Sequence, residues 1–113
     1  MKKIKICLLL MLATPIVLAA RGPVKISQIK ADPARFGTKT VQVKGTVVTS
    51  VGVLASGGYE IEDETGRIYV ITNKGVPSQG AHVIVEGTVF TGATVFGQPV
   101  GVAIRESKHQ IKP

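Results

Sequence analysis

The stretch Val41-Gln42-Val43-Lys44-Gly45-Thr46-Val47-Val48-Thr49, VQVKGTVVT, returns from Val83 to Thr91 as VIVEGTVFT. In the first copy Val41, Val43 and Val47 alternate with Gln42, Lys44 and Thr46, the period-two signature of a strand with one buried face. Each copy has a glycine in its middle, Gly45 and Gly87. A mid-strand glycine marks a bulge or a bend too sharp for a side chain. A duplication would also produce the echo, but the following segments, DETGRIYV and RESKHQI, do not match. Two strongly coiled strands under one structural constraint account for it better.

Between and after these strands the chain offers three more. Tyr59-Glu60-Ile61-Glu62-Asp63 is one, and Glu64-Thr65-Gly66 turns the chain into Arg67-Ile68-Tyr69-Val70-Ile71-Thr72. The last runs from about Gly101 to Glu106. TSVGVLASGG, NKGVPSQG and TGATVFGQPV read as Gly-rich loops, and SKHQIKP as a polar tail. Ahead of the first strand, VKISQIKADPARFGTKT predicts two helical turns at most, with Ser27 as cap and Ile26, Ile29 and Phe36 on one side. Five short strands bury too little as a sandwich, but they can close into a small barrel that leaves no open edge. Closure requires long, bent first and fourth strands, and the two glycines supply the bends. The expected fold is all-β, a five-stranded barrel with a short N-terminal helix plugging one end.

The first twenty residues read differently. MKKIKI is basic, CLLLMLATPIVLAA is apolar, and Ala19 and Ala20 are small. That is the layout of a secretory signal peptide. The apolar run from Ile6 to Ala20 is 15 residues, short of the roughly 20 of a spanning helix. Cleavage near Ala19 or Ala20 is therefore expected rather than a retained anchor, giving a periplasmic or secreted protein with no membrane span. Cys7, the sole cysteine, lies inside the apolar run. The mature chain would have no disulfide and would depend on its core. Losing Lys2, Lys3 and Lys5 lowers the formal charge from +7 to +4, mildly basic and compatible with polyanions. The expected organisation is a signal peptide over 1–20, a leader with the short helix over 21–40, the barrel over 41–107 and a tail over 108–113.

The order of the motifs is similar to the OB-fold, specifically the tRNA-anticodon and helicase type of nucleic-acid-binding OB domain. The resembling features are Val43-Lys44-Gly45-Thr46-Val47, the turn Asp63-Glu64-Thr65-Gly66, and Pro77-Ser78-Gln79-Gly80-Ala81-His82-Val83-Ile84-Val85-Glu86-Gly87. With its leader the chain resembles an exported version, like the bacterial periplasmic OB-fold proteins. The resemblance implies a five-stranded Greek-key barrel that binds single-stranded nucleic acid or another polyanion. The alternative is an envelope protein that binds a protein partner or small ligand, with no nucleic-acid role. The exported haem chaperone resembles the chain less, because Pro113 stands four residues after His109 where that family has a tyrosine.

In such domains the outer face of the second and third strands binds the ligand. Alternation turns Tyr59, Ile61, Ile68 and Val70 inward, and Glu60, Glu62, Arg67, Tyr69 and Ile71 outward. Nucleic acid needs cations for phosphates and aromatic rings for bases. The candidate face is Arg67, Tyr69, Ile71, Lys44 and Lys74, with Lys39 near it. A purely structural account of the same residues is that Glu60, Glu62, Lys44 and Arg67 form cross-strand ion pairs on a solvated sheet. Lys44 and Glu86 occupy equivalent places in the echo and are expected to balance across paired strands. Leu54 and Phe96, in two apolar loops, form a second candidate patch, either capping the barrel or contacting a protein. The carboxylates Glu60, Glu62, Asp63 and Glu64 read as an acidic hairpin tip rather than a cation site. His82 and His109 have no triad partners. The sequence points to a monomeric binding module, not an enzyme, with no metal and no cofactor.

Overall fold

The structure is a computed structural model. It describes residues 22–37, 39–53, 56–95 and 97–112. The leader assigned to export, and Leu54 and Phe96, lie outside the described residues. Five strands, β1 (Thr40–Val53), β2 (Ser56–Asp63), β3 (Gly66–Thr72), β4 (His82–Val95) and β5 (Gln98–Lys112), close into a barrel in the order β1-β2-β3-β5-β4. All neighbours are antiparallel except β3 and β5, which run parallel. This is the expected OB-type barrel.

The echo forms the seam between β1 and β4, with Val43 opposite Val85 and Gly45 opposite Val83. The first half of β1 pairs with β4 and the second half with β2, and Gly45 lies where β1 passes between them. A Cβ there would come 2.9 Å from the carbonyl oxygen of Glu62. Its glycine is required by close approach rather than by a bulge, since the β1 register shift falls at Val47–Thr49. Gly87 does adjoin a register shift, between Glu86 and Gly87. A Cβ there would sit 2.2 Å from the carbonyl oxygen of Arg105, well inside contact distance.

The strands are longer than their sequence pattern shows. Thr49–Val53 pairs with Ser56–Glu60, and Ala93–Val95 pairs with Gln98–Gly101. The segments expected as loops are therefore paired ribbons of strand; in the first, Gly57–Glu60 also pairs with Tyr69–Thr72 of β3 and is part of the barrel wall. Likewise, residues 108–112 continue β5 against β4 rather than forming a polar tail. Small and polar residues in these runs hide the alternation that identifies a strand. The segment 73–80 is loop, as expected. It straps across β1, where the Ser50 hydroxyl donates to the Pro77 carbonyl at 2.6 Å and the Gly80 N–H donates to Val47 at 2.8 Å.

Helix α1 (Ile26–Ala31) and a 3₁₀ turn (Pro33–Phe36) precede the barrel. Ile26 and Ile29 are fully buried and join Phe36, Val43, Tyr59, Ile61, Ile68, Val70, Val85 and Ile104 in one core. Lys25, not Ser27, is the N-cap, because the helix start is held from outside. The N–H groups of Ile26 and Ser27 donate to the Asp63 carboxylate and the Thr65 hydroxyl, each at 3.0 Å. A helix leaves its first N–H groups without internal partners, and the β2–β3 turn supplies them. Lys30 ties the other end, donating to the Arg67 carbonyl at 2.8 Å.

Candidate functional site

Along β3, Ile68 and Val70 are buried in the core, so Arg67, Tyr69 and Ile71 face outward as expected. Their neighbours follow from register. Arg67 stands opposite Glu62 on β2, and its Nε lies 3.1 Å from the Glu62 carboxylate. Tyr69 lies between Glu60 on β2 and Ala103 on β5, and Ile71 between Gly58 and Arg105.

The other candidates do not join this row. Lys44 is on β1 opposite Ile84, beside a surface of mixed charge that includes Glu62, Asp63, Glu64, His82 and Lys112. It does not face Glu86. Gln42 stands opposite Glu86 and donates to it at 3.3 Å, while Lys108 approaches the other carboxylate oxygen at 3.9 Å. The expected balance between Lys44 and Glu86 fails because Gly45 and Gly87 are not in register: each glycine faces a valine. Lys74 is exposed in the loop after β3, its backbone N–H held by the Thr72 hydroxyl at 2.9 Å. Lys39 is exposed beyond the 3₁₀ turn. Of the expected cross-strand ion pairs, Arg67 with Glu62 is formed, and neither Glu60 nor Lys44 has an ion pair among the described residues.

Two residues that the sequence did not single out complete the outer surface beside Tyr69. Phe90 and Arg105 lie on β4 and β5, and the Arg105 guanidinium sits 4.3 Å from the centre of the Phe90 ring. Ala103 is opposite Phe90 on one side and Tyr69 on the other. It is fully buried though its neighbour Ile104 is the one that faces the core, so the outer surface is closed over it. Alternation along β4 and β5 puts Phe90 and Arg105 outside. Their place beside Tyr69 depends on the β3–β5 closure, which no local pattern carries.

Beneath this surface is a buried polar cluster. Glu106 is 6% exposed. Its carboxylate accepts from the Tyr59 hydroxyl, from the Thr72 hydroxyl at 3.0 Å and from His109 Nδ1 at 2.8 Å. Burial, and then the adjoining carboxylate, push the Tyr59 phenol far above its ordinary pKa, so it remains a donor. The His109 ring lies edge-on to Tyr59 at 5.9 Å. His109 belongs to β5 and to this cluster, not to a tail. Above it, between the two ribbons, is a cleft of about 550 Å³ lined by Gly57, Gly58, Ile71, Val95 and Arg105 among others.

The acidic tip is a structural device. Asp63 accepts from the Thr65 N–H at 2.7 Å, the Thr65 hydroxyl at 2.6 Å and the Gly66 N–H at 3.1 Å, besides Ile26. Burial would raise the carboxyl's pKa, but these donors outweigh it and hold the group below its ordinary value. Glu64 pairs with Lys25; the hydrogen bond between them lowers the carboxyl's pKa and raises the ammonium's. Among the described residues no three His, Cys, Asp or Glu side chains gather as metal ligands, and no helix is long and apolar enough to cross a membrane.

No protein-family model matches the chain, and no curated protein matches it. Solved structures do. The asparaginyl-tRNA synthetase from Pyrococcus horikoshii is similar at 22% identity and a TM-score of 0.63, over 80% of this chain and 23% of that one. The same enzyme complexed with asparaginyl-adenylate matches at 23% identity and a TM-score of 0.63, over 80% and 22%. A protein described as an aspartyl-tRNA synthetase from Leishmania major Friedlin matches at 14% identity and a TM-score of 0.65, over 81% and 21%. The likeness is one of fold, and the chain spans less than a quarter of each of these proteins.

Proposed function

We propose that this chain is an exported OB-fold binding module that takes single-stranded nucleic acid, or another polyanion, on the outer face of its barrel, and that it is not an enzyme. The observation that carries this reading is Tyr69, which lies on the outer face two residues from Arg67 and diagonally across from Arg105. A ring with the Arg105 guanidinium diagonally across from it suits a base and an adjoining phosphate, while Arg67 beside it is engaged by Glu62. The synthetases that share the fold act on tRNA, as their names say, which favours a nucleic-acid ligand over other polyanions. Export rests on the basic and apolar leader ending at Ala19-Ala20. The intact mass of the protein recovered from an envelope or culture fraction should match cleavage near that point.

The binding test is a fluorescence-anisotropy titration of the purified protein with a labelled oligonucleotide at two salt concentrations. Binding at about 20 mM salt should weaken steeply at about 150 mM as counterions are released. Loss in Tyr69→Ala and in Arg67→Glu should accompany it. The cleft between the ribbons favours a second reading, a small ligand or envelope protein partner seated there. That reading predicts no oligonucleotide affinity even at about 20 mM salt.

A further inference from the structure

A strand bound at Tyr69 can run from it over β2 or over β5, the two strands that flank β3. An OB face centred on the second and third strands would send it over β2. On this barrel β2 is the wrong side. Its outward residues next to β3 are Glu62, Glu60 and Gly58. Glu62 already holds Arg67, and Glu60 has no ion pair among the described residues. A phosphate crossing there meets two carboxylates and one guanidinium that is already engaged.

The opposite side is different in kind. The outward positions beside Tyr69 and Ile71 are Ala103 and Arg105 on β5, then Phe90 and Thr88 on β4. None is acidic. Tyr69 and Phe90 stand on the strands either side of the small Ala103, strands whose backbones are about 10 Å apart at the usual spacing, and so offer two rings on one outer row. Arg105 lies over the Phe90 ring, and a guanidinium laid on a ring extends the flat surface on which a base stacks while keeping its N–H groups for phosphate. Ile71 continues the apolar floor beside it.

Resting on the nucleic-acid reading above, we propose that a single strand crosses the barrel over β3, β5 and β4. Its bases stack on Tyr69 and on the Phe90–Arg105 pair, and β2 is excluded by Glu60 and Glu62. The ligand class is single-stranded nucleic acid, recognised by stacking and phosphate charge rather than by base edges.

The test uses the purified protein and a labelled oligothymidylate of about twelve nucleotides, a length within reach of one OB barrel. Arg105→Gln should weaken binding and reduce the salt slope by about one. Phe90→Ala should weaken it by about fivefold to about 150-fold, the range for one stacked base. Lys44→Gln should bind as the parent does. Because Phe90→Ala could disturb the sheet, Phe90→Tyr, which keeps a ring, should restore binding. Photo-crosslinking of a bromouracil-substituted strand to the unaltered protein should mark Tyr69 and Phe90. The proposal is overturned if Arg105→Gln and Phe90→Ala bind like the parent while Lys44→Gln loses affinity, or if crosslinks fall on β1 and β2. In that case nucleic-acid binding itself still stands. Absence of any binding by the unaltered protein at low salt removes the nucleic-acid reading as well, so the two failures are told apart.

Discussion

Asp63 and Glu106 are both carboxylates that collect several donors, and they do opposite work. Asp63 sits at the corner between β2 and β3. Three of its four donors are backbone N–H groups, two of them within three residues. Glu106 sits inside the barrel, and its three donors are side chains. Tyr59 lies 47 positions away and Thr72 lies 34. Asp63 shapes a turn and fastens a short helix to it. Glu106 joins β2, β3 and β5 next to the parallel seam, where β3 and β5 pair over just three residues. A corner carboxylate can lose its charge and keep its turn. An interior carboxylate cannot leave without stranding two buried hydroxyls and a half-buried imidazole.

Glu106→Ala should have the largest effect. It leaves the Tyr59 and Thr72 hydroxyls and the His109 ring without their acceptor. Stranded buried donors cost on the order of 1–3 kcal/mol each, so a loss of about 4 kcal/mol is expected, read as a fall of some 15 °C or more in melting temperature. Next comes Asp63→Ala, which removes the cap of α1 and the turn's acceptor together. Its expected cost is about 2 kcal/mol, the upper range of a lost cap, and hydrogen exchange should show α1 opening while the barrel amides stay protected.

Acid sharpens the contrast. The Asp63 carboxyl is held below its ordinary value in the folded chain. Its stabilisation is therefore complete above the unfolded value, about 3.9, and is lost as pH falls through the lower folded one. Melting curves of the parent and Asp63→Asn should converge as pH drops from about 5 toward 2. A constant gap across that range would show that the charge at Asp63 is irrelevant. Tyr59→Phe, which removes one donor and leaves the carboxylate two, should cost about 1 kcal/mol by denaturant melting. Last, Lys25→Met breaks the exposed pair with Glu64 and should leave the melting temperature unchanged, as exposed pairs commonly do. A substantial fall there would mean that the corner is held by charge rather than by N–H donors.

The same contrast separates what could be read in the sequence from what could not. The Asp63-Glu64-Thr65-Gly66 turn is local, so its residues announce it. The inward set Tyr59, Ile61, Ile68 and Val70, the plug residues Ile26, Ile29 and Phe36, and the β1–β4 echo were legible because alternation and helical spacing are short-range patterns. The ribbons were not, because the Gly and Ser residues set among their valines read as loop although their backbones pair. Nor was the role of Glu106 or His109, since a strand ending in Arg-Glu-Ser-Lys-His looks solvated until closure sets Tyr59 and Thr72 against it. For the site, Arg67, Tyr69 and Ile71 fell on one row as expected, while Lys44 did not, because register and not similarity of sequence decides what faces what. Phe90 and Arg105 were hidden by the same non-local closure.

The fastening of α1 bears on the order in which the chain can assemble. Six residues of helix do not persist alone in water, and the groups that hold this one come from Asp63 and Thr65, 37 and 38 positions later. In a chain made from its N-terminus, the plug emerges first and is seated only after the β2–β3 turn exists. For that interval Ile26, Ile29 and Phe36 have no barrel to enter, and the earliest part of the described fold to appear must wait for a later part before it is seated.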